Sequence, residues 1–268
     1  MKFGIVVVSL NPGNQITETL QSIVKQTYKG YEVIIKDGGS KDGTRETVDA
    51  FLKAAGEDFA GRVHFYEQKD KSIYDAMNQA VEYVNADFVL FLNCGDMFYD
   101  EKVLENIDKK LPSEKALIAY ADTYFRATKS VAKAPERITA SVCYRNIPCH
   151  QSIVYSRDCL SERPFDTSLK IRADYDHFLD AYFIGHRKFV YLDMIIADYE
   201  GGGFSEKKSN KKLDSREYSV TVRKYIPLWE RFKNRALLIL TLHKLRGALS
   251  RSKRFAGIYQ KVKDKVVR

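Results

Sequence analysis

Residues 3–14 read FGIVVVSLNPGN, an apolar run rich in β-branched residues that stops at an Asn-Pro-Gly loop. A continuous run of this kind is typical of a strand that is covered on both faces of a sheet. Similar runs follow at 31–36, 63–67 and 87–92, and segments with helical spacing of apolar residues separate them. This alternation predicts βαβ units, a parallel sheet and right-handed crossovers.

A polar loop follows each of these four predicted strands. The loops read SLNPGN, DGGSKDGT, EQKDKS and NCGD, in chain order. In a parallel sheet the carboxyl ends of the strands meet at one edge, and ligands bind there. We therefore expect the four loops to converge on one rim that carries the chemistry.

The rest of the chain is more mixed in pattern. Asn14 is expected to cap the first helix. Further helices are expected at about 45–55, 73–84 and 174–184, and further strands at 152–156 and 188–192. Three glycines at 201–203 precede a change to a basic, helical composition. We therefore predict a body over residues 1–204 and a helical C-terminal extension over residues 205–268.

Charge divides the 268-residue chain at the same place. Residues 205–268 hold 19 Lys and Arg against 5 Asp and Glu, a net charge of +14. Residues 1–204 hold 25 against 30, a net charge of −5, so the overall +9 describes neither part. A strongly basic end predicts an anionic partner surface, either lipid or nucleic acid.

Several classes of protein are disfavoured by what the sequence lacks. It has no GxGxxG or GxxxxGK[ST] loop for phosphate binding. Its longest apolar run, 237–242, is far below the roughly 18 residues that cross a bilayer. The four cysteines stand singly, which disfavours a zinc cluster or a disulfide framework. A cytoplasmic protein is expected.

Asp96 is a candidate metal ligand because an apolar strand delivers it to the predicted rim. A divalent cation that is bridged to a carboxylate is one way to hold a nucleotide diphosphate. Asn93, Gly95 and Asp96 are also good turn residues, and so are those around Asp37. The residues alone leave the turn and the metal site open.

The ordered set of SLNPGN, VIIKDGGSKDGT, KDKSIYDAMNQAV and FVLFLNCGD resembles the family 2 glycosyltransferases, and it closely resembles the bacterial members that build cell-surface polysaccharide. PCHQSIVYSR, PFDTSLKIRADYDHFLDAY and ADYEGGGFS extend the resemblance to about residue 205. It implies an α/β fold of the GT-A type, with a Rossmann-like mixed sheet and helices on both faces, followed here by the helical extension.

The resemblance also implies roles for individual residues on the donor side. Asp37 would accept a hydrogen bond from the base, and Asp96 matches the last acid of the DXD-type motif that holds Mg²⁺ or Mn²⁺. The commoner forms of this motif end in two acids, whereas this chain has Gly95 before Asp96. The implied nucleotide-sugar contacts are Ser9, Asn11, Asp37, Asp70, Asp75, Asn93 and Asp96.

On the acceptor side, the resemblance implies that Asp174 is the general base and that His150 and Gln151 contact the acceptor. Ala173 stands where the family often has a Glu. A helix N-cap is the structural alternative for Asp174. Asp176 is ranked behind it because two residues rotate a helix by roughly 200°.

The basic end contains a stretch with one apolar stripe, residues 228–261. A basic amphipathic helix of this kind, with Trp229 and Phe232 near the headgroups, can lie on an anionic membrane. Docking on the body is the alternative, and nucleic acid is a less favoured third one. The membrane interpretation places the protein peripherally at the inner face of the cell membrane.

These observations predict an inverting glycosyltransferase that moves a sugar from a nucleotide-diphosphate sugar, expected to be UDP-linked. The acceptor would be a saccharide or a lipid-linked saccharide in surface polysaccharide biosynthesis. Two alternatives stay open: a nucleotidyltransferase, and a non-catalytic membrane- or nucleic-acid-binding protein on a GT-A body.

Overall fold

The computed structural model describes residues 2–112, 114, 116–201 and 207–240. The described residues form one mixed sheet with helices on both faces. The strands are β1 Phe3–Ser9, β2 Tyr31–Asp37, β3 Val63–Glu67, β4 Phe88–Phe91, β5 Met97–Phe98, β6 Leu117–Phe125, β7 Ser130–Ala132, β8 Ile153–Ser156 and β9 Lys188–Tyr199. The helices are α1 Gln15–Val24, α2 Thr44–Ala55, α3 Glu57–Ala60, α4 Ile73–Glu82, α5 Val103–Lys110, α6 Ala140–Arg145, α7 Arg157–Glu162, α8 Ala173–Phe183, α9 Lys211–Tyr225 and α10 Leu228–Leu240.

The sheet order is β3-β2-β1-β4-β8-β6-β9-β5, with β7 paired to β6. The first four strands in this order are parallel, so their carboxyl ends meet at one edge as predicted. β8 runs antiparallel to both β4 and β6, and β5 runs antiparallel to β9. The sheet is therefore mixed, and the predicted α/β fold class is confirmed.

The side chains of β1 show why the apolar runs form central strands. Val6 and Val8 pack into a cluster with α4 and α8 on one face of the sheet. Ile5 and Val7 pack into a second cluster with α1 on the other face. Every residue of β1 is buried, which accounts for a run without polar alternation.

The helix starts differ in part from the sequence prediction. Asn14 holds the N-cap position of α1, but its side chain makes no capping hydrogen bond. Arg172, and not Asp174, holds the N-cap position of α8. The N-cap interpretation of Asp174 is therefore wrong, because the helix begins at Ala173, before Asp174, and an N-cap residue precedes the helix.

Helix α9 contacts the body through the side chain of Glu217, whose carboxylate accepts hydrogen bonds from backbone N–H groups. The two oxygens of Glu217 accept hydrogen bonds from the N–H groups of Lys170, Ile171 and Arg172, at 2.9, 2.9 and 3.0 Å. These three residues immediately precede α8. The division at residue 204 stays a prediction, but the extension's first helix holds the segment that leads into α8.

Helix α10 turns a polar face to the body. Asn234 is buried and hydrogen-bonds Ser141 and Glu230, whereas Trp229 and Phe232 are 62% and 64% exposed. The rest of the predicted stretch, residues 241–261, lies outside the described residues. Among the described residues, the helices fall short of the length and apolar character needed for a bilayer-spanning segment.

Candidate active site

A cleft of about 800 Å³ opens at the carboxyl edge of the sheet. It lies where β4 ends, between the loop before β8 and the start of α8. The structure brings together five of the residues predicted from the sequence in its lining: Asn93, Asp96, His150, Gln151 and Asp174. Donor-side and acceptor-side predictions thus meet in one cavity.

Helix α1 holds the loop that carries Asp96. The Thr19 hydroxyl donates to the carbonyl of Asp96 at 2.8 Å and accepts from the N–H of Gly95 at 3.0 Å. Gly95 has a φ of +95°, a conformation that favours glycine. The loop is therefore fixed by backbone contacts, which leaves the Asp96 side chain available to the cleft.

Asp96 is buried, at 5% exposure, and its Oδ1 accepts the N–H of Glu200 at 3.1 Å. Burial raises the pKa of Asp96 to about 7. Hydrogen bonds from the Glu200 backbone and the Gln151 side chain oppose this shift, and the negative charge of Glu200 adds to it. A cation at this carboxylate would relieve the cost of burying its charge.

The residues around Asp96 fit a divalent cation. The Oδ1 atom of Asn93 is buried and has no hydrogen-bond partner among the described residues, and Asn93 lines the same cleft. Carboxylate and amide oxygens suit Mg²⁺ and Mn²⁺. The described residues contain no group of three or more His, Cys, Asp or Glu placed to hold a metal. Diphosphate oxygens and water would therefore complete the coordination, as is usual for Mg²⁺.

Asp174 lies in the first turn of α8 and lines the cleft. Its Oδ1 atom is 3.0 Å from the hydroxyl of Tyr74 and accepts the N–H of Tyr175 at 2.8 Å. Its Oδ2 atom accepts no hydrogen bond from the described residues. One oxygen is thus held by the protein, and the other is available to a substrate.

His150 and Gln151 form a short 3-10 turn before β8. The His150 ring stacks on Phe91, and its Nδ1 lies 3.2 Å from the Tyr155 hydroxyl. Burial lowers the pKa of His150, although the charge of Asp174 opposes the shift. A neutral His150 is therefore expected at pH 7, with Nε2 unpartnered among the described residues.

Asp37 and Ser9 end neighbouring strands in register. The Asp37 carboxylate accepts hydrogen bonds from the hydroxyls of Ser9 and Ser40, both at 2.6 Å, and from the N–H groups of Gly39 and Ser40. Burial alone would raise the pKa of Asp37, but these hydrogen bonds outweigh it and lower the pKa. Asn11 joins the same two loops by accepting the N–H of Lys41 at 2.8 Å.

Asp70 and Asp75 also form contacts within the protein. Asp70 forms an ion pair with the buried Lys36, and Asp75 accepts the N–H of Lys71 at 2.8 Å in the first turn of α4. Five predicted donor contacts lie outside the lining of the cleft: Ser9, Asn11, Asp37, Asp70 and Asp75. Their nucleotide contacts stay predictions.

Asp176 has a different role from Asp174. It is buried and forms ion pairs with Arg163 at 2.7 Å, which joins α8 to the end of α7, and with Lys224 at 3.0 Å, which joins α8 to α9. Asp176 therefore lies on a different face of α8 from Asp174, as the offset of two residues predicted.

Sequence reasoning missed two residues of the site, Tyr74 and Glu200. Tyr74 contacts Asp174, and Glu200 contacts Asp96. Both stand inside segments that carry the family resemblance, KDKSIYDAMNQAV and ADYEGGGFS. The motif positions were a usable signal, but neither residue type by itself indicated a contact with an acid far away in the sequence.

Comparison with known proteins shows which protein family the chain resembles. The sequence profile described as Glycosyl transferase family 2 matches residues 4–173. The "PGL/p-HBAD biosynthesis glycosyltransferase" of Mycobacterium bovis (strain BCG / Pasteur 1173P2) is 27% identical over 249 residues, 90% of this chain and 95% of the relative. The Escherichia coli "UDP-Glc:alpha-D-GlcNAc-diphosphoundecaprenol beta-1,3-glucosyltransferase WfgD" is 26% identical over 179 residues, 64% of this chain and 66% of the relative.

A solved structure agrees in fold. The mannosyltransferase PcManGT from Pyrobaculum calidifontis, in complex with GDP-Man and Mn²⁺, superposes with a TM-score of 0.67 at 16% identity. The match covers 97% of this chain and 83% of that one. At this identity, the likeness bears on the fold, and it agrees with the mixed sheet described above.

Proposed function

The chain belongs to glycosyltransferase family 2, and we propose that it transfers the sugar of a UDP-sugar, with inversion, to a lipid-linked saccharide in surface polysaccharide biosynthesis. The observation that carries the proposal is that Asp96 and Asp174 line one cleft. A carboxylate suited to a cation and a carboxylate with an available oxygen thus line the same cavity, which is large enough for a nucleotide sugar.

Asp174 is the base in this proposal. Its carboxylate takes the proton of the acceptor hydroxyl while that oxygen attacks the anomeric carbon. The bond from the anomeric carbon to the diphosphate breaks on the opposite face, so the configuration inverts and the nucleoside diphosphate leaves. General-base assistance of this kind contributes roughly 100- to 10,000-fold in rate.

Asp96 and Asn93 would hold the divalent cation, Mg²⁺ or Mn²⁺. When bound, the cation stabilises the negative charge that develops on the departing diphosphate. The hydrogen bond from the Glu200 backbone keeps the Asp96 carboxylate oriented. PcManGT, which shares the fold, has been crystallised with Mn²⁺.

An acceptor that carries phosphate is favoured by the charges at the acceptor end of the cleft. Lys170 and Lys207 line the cleft and form no ion pair with any described residue. Arg172 lies beside them and pairs with Asp214 at 2.6 Å. The name of WfgD gives it a diphosphate-linked lipid acceptor and a UDP-linked donor. A diphosphate-linked acceptor fits Lys170 and Lys207, and the UDP-linked donor is the donor class proposed here.

The anionic membrane surface is the partner that we propose for α10. Trp229 and Phe232 are exposed although the opposite face of the same helix is docked. Aromatic side chains of this kind insert at the headgroup level, and the +14 charge of residues 205–268 complements anionic lipid. A lipid-linked acceptor would be presented at the same surface, which places the protein peripherally at the inner face of the membrane.

The function is tested by a screen of UDP-glucose, UDP-GlcNAc, UDP-galactose and GDP-mannose, each with and without Mn²⁺. A donor that binds the native protein raises its melting temperature. The stabilising donor is then incubated with GlcNAc-diphosphoundecaprenol, and the anomeric configuration of the product is read by NMR. Inverted glycoside supports the proposal. Retained configuration contradicts it, as does pyrophosphate release from a nucleoside triphosphate.

A further inference from the structure

The end of β9 brings Glu200 opposite the metal motif. β5 pairs antiparallel with β9 in the register Met97 with Asp198. Continuing this register by two residues sets Glu200 opposite Gly95. The hydrogen bond from the Glu200 N–H to Asp96 Oδ1, at 3.1 Å, agrees with that placement.

The Glu200 carboxylate fills the space that a side chain at position 95 would take. A Cβ atom built on Gly95 would overlap Oε2 of Glu200 and would lie 3.2 Å from its carboxyl carbon. Position 95 corresponds to the first of the two acids that end the commoner metal motifs. In this chain, an acidic group therefore occupies that place but comes from a different strand.

Charge at the site is unbalanced in the described part of the chain. Oε2 of Glu200 accepts a hydrogen bond from the Gln15 amide at 2.8 Å, but neither Glu200 nor Asp96 forms an ion pair there. The nearby Arg126 pairs with Asp198 at 3.2 Å and donates to the Gly95 carbonyl at 3.3 Å, so its single positive charge does not balance the carboxylates of Asp96, Asp198 and Glu200. Two neighbouring carboxylates repel each other unless a cation lies between them.

We propose that the Glu200 carboxylate is the second acidic ligand of the divalent cation and replaces the side chain that Gly95 lacks. The inference rests on the metal-dependent function proposed above. Gln15 is then a positioning residue that holds the Glu200 carboxylate beside Asp96. The site has the two acids of the commoner motif, although the local sequence shows one.

The test measures metal binding directly. Mn²⁺ is titrated into the full-length protein with UDP present, and free Mn²⁺ is read by electron paramagnetic resonance. Glu200→Gln is expected to raise the Kd for Mn²⁺ by about 10- to 100-fold, the range seen when groups that support a metal site are removed. Glu162→Gln is the matched control, because Glu162 is exposed and pairs with Arg187 elsewhere on the surface. It should bind Mn²⁺ as the wild type does.

A second variant tests the same inference without removing the acid. Gly95→Ala places a methyl group where the Glu200 carboxylate now lies, so it too should weaken Mn²⁺ binding. The melting temperature without metal is measured for every variant. Loss of like-charge repulsion should leave the Glu200→Gln protein at least as stable as the wild type without metal, while the stabilisation by Mn²⁺ shrinks.

The outcomes separate the two proposals. If the wild type binds Mn²⁺ with UDP and Glu200→Gln binds it equally well, the Glu200 assignment is overturned and the proposed function stands. The assignment is also overturned if Glu200→Gln lowers only the metal-free melting temperature, because that result marks a structural role. If the wild type itself binds no Mn²⁺ with UDP, both the metal-dependent function and the role of Glu200 are overturned.

Discussion

The hydroxyl of Tyr74 lies 3.0 Å from Oδ1 of Asp174, although 100 residues separate the two in the chain. The same hydroxyl lies 2.6 Å from the carbonyl oxygen of Ile171. Burial raises the pKa of Tyr74 well above its ordinary value, and the charge of Asp174 adds to the shift. Tyr74 therefore stays protonated and orients the carboxylate that we propose as the base.

Tyr74→Phe should lower kcat severalfold and leave the donor KM unchanged, because the base loses its orienting contact but the donor loses none. The buried carbonyl of Ile171 also loses a partner, which should cost about 1–3 kcal/mol of unfolding free energy. Steady-state kinetics and urea unfolding measure the two effects. Tyr83→Phe is the matched control, since its hydroxyl contacts Gln68. Lost stability with an unchanged kcat would reduce Tyr74 to a structural residue.

Asp174→Asn should lower kcat by about 100- to 10,000-fold, because an amide cannot take the proton of the acceptor hydroxyl. Donor affinity, measured by calorimetry with a non-transferable donor analogue, should stay within about twofold of the wild type because no donor contact changes. Asp158→Asn, at an exposed position on α7, serves as the control. Full turnover by Asp174→Asn would remove Asp174 from the mechanism.

Acid stability should depend on His177, which is buried on α8. Burial lowers the pKa of His177 to about 4, and the hydrogen bond to the Cys159 carbonyl only partly offsets this shift. Between its unfolded pKa, about 6.5, and pH 4, the unfolded chain binds the proton and the native chain does not. The unfolding free energy should therefore fall by up to about 3 kcal/mol as the pH drops from 6.5 to 4.

His177→Phe removes this titration, and a cavity of about 220 Å³ beside the residue leaves room for the larger ring. The variant should show a flatter pH dependence of urea unfolding between pH 4 and 7. An unchanged slope would mean that other groups account for the acid sensitivity.

Combined Trp229→Ala and Phe232→Ala should weaken binding to vesicles that contain phosphatidylglycerol by about tenfold or more, since each side chain gives up its burial in the interface. Cosedimentation at two salt concentrations measures the effect, and turnover on a water-soluble acceptor should not change. Tyr99→Ala, which removes an exposed aromatic ring elsewhere, is the control. Equal binding by the double variant and the wild type would contradict the membrane role of α10.

The sequence was sufficient for the central strands and for the convergence of their loops. Strands such as β1 are buried on both faces, so their apolar runs are unbroken and easy to identify. The loop around Asp96 could also be placed, because it directly follows one of these strands.

The contacts that complete the site could not be predicted in this way. β5 has two residues, too few for any periodic pattern, yet its pairing with β9 sets Glu200 opposite Gly95. Tyr74 and Asp174 likewise meet only because α4 and α8 pack on the same face of the sheet. Contacts between distant segments depend on the whole fold, so the local sequence pattern does not predict them.

The three amide hydrogen bonds accepted by Glu217 tie α9 to the segment that leads into α8. A chain shortened before α9 would leave the N–H groups of Lys170, Ile171 and Arg172 without their acceptor, immediately ahead of Asp174. Through the same link, a displacement of α9 would act on α8, the helix that carries the proposed base Asp174. We therefore expect that deleting α9 and α10 lowers turnover even on a water-soluble acceptor, in addition to any loss of the proposed membrane binding.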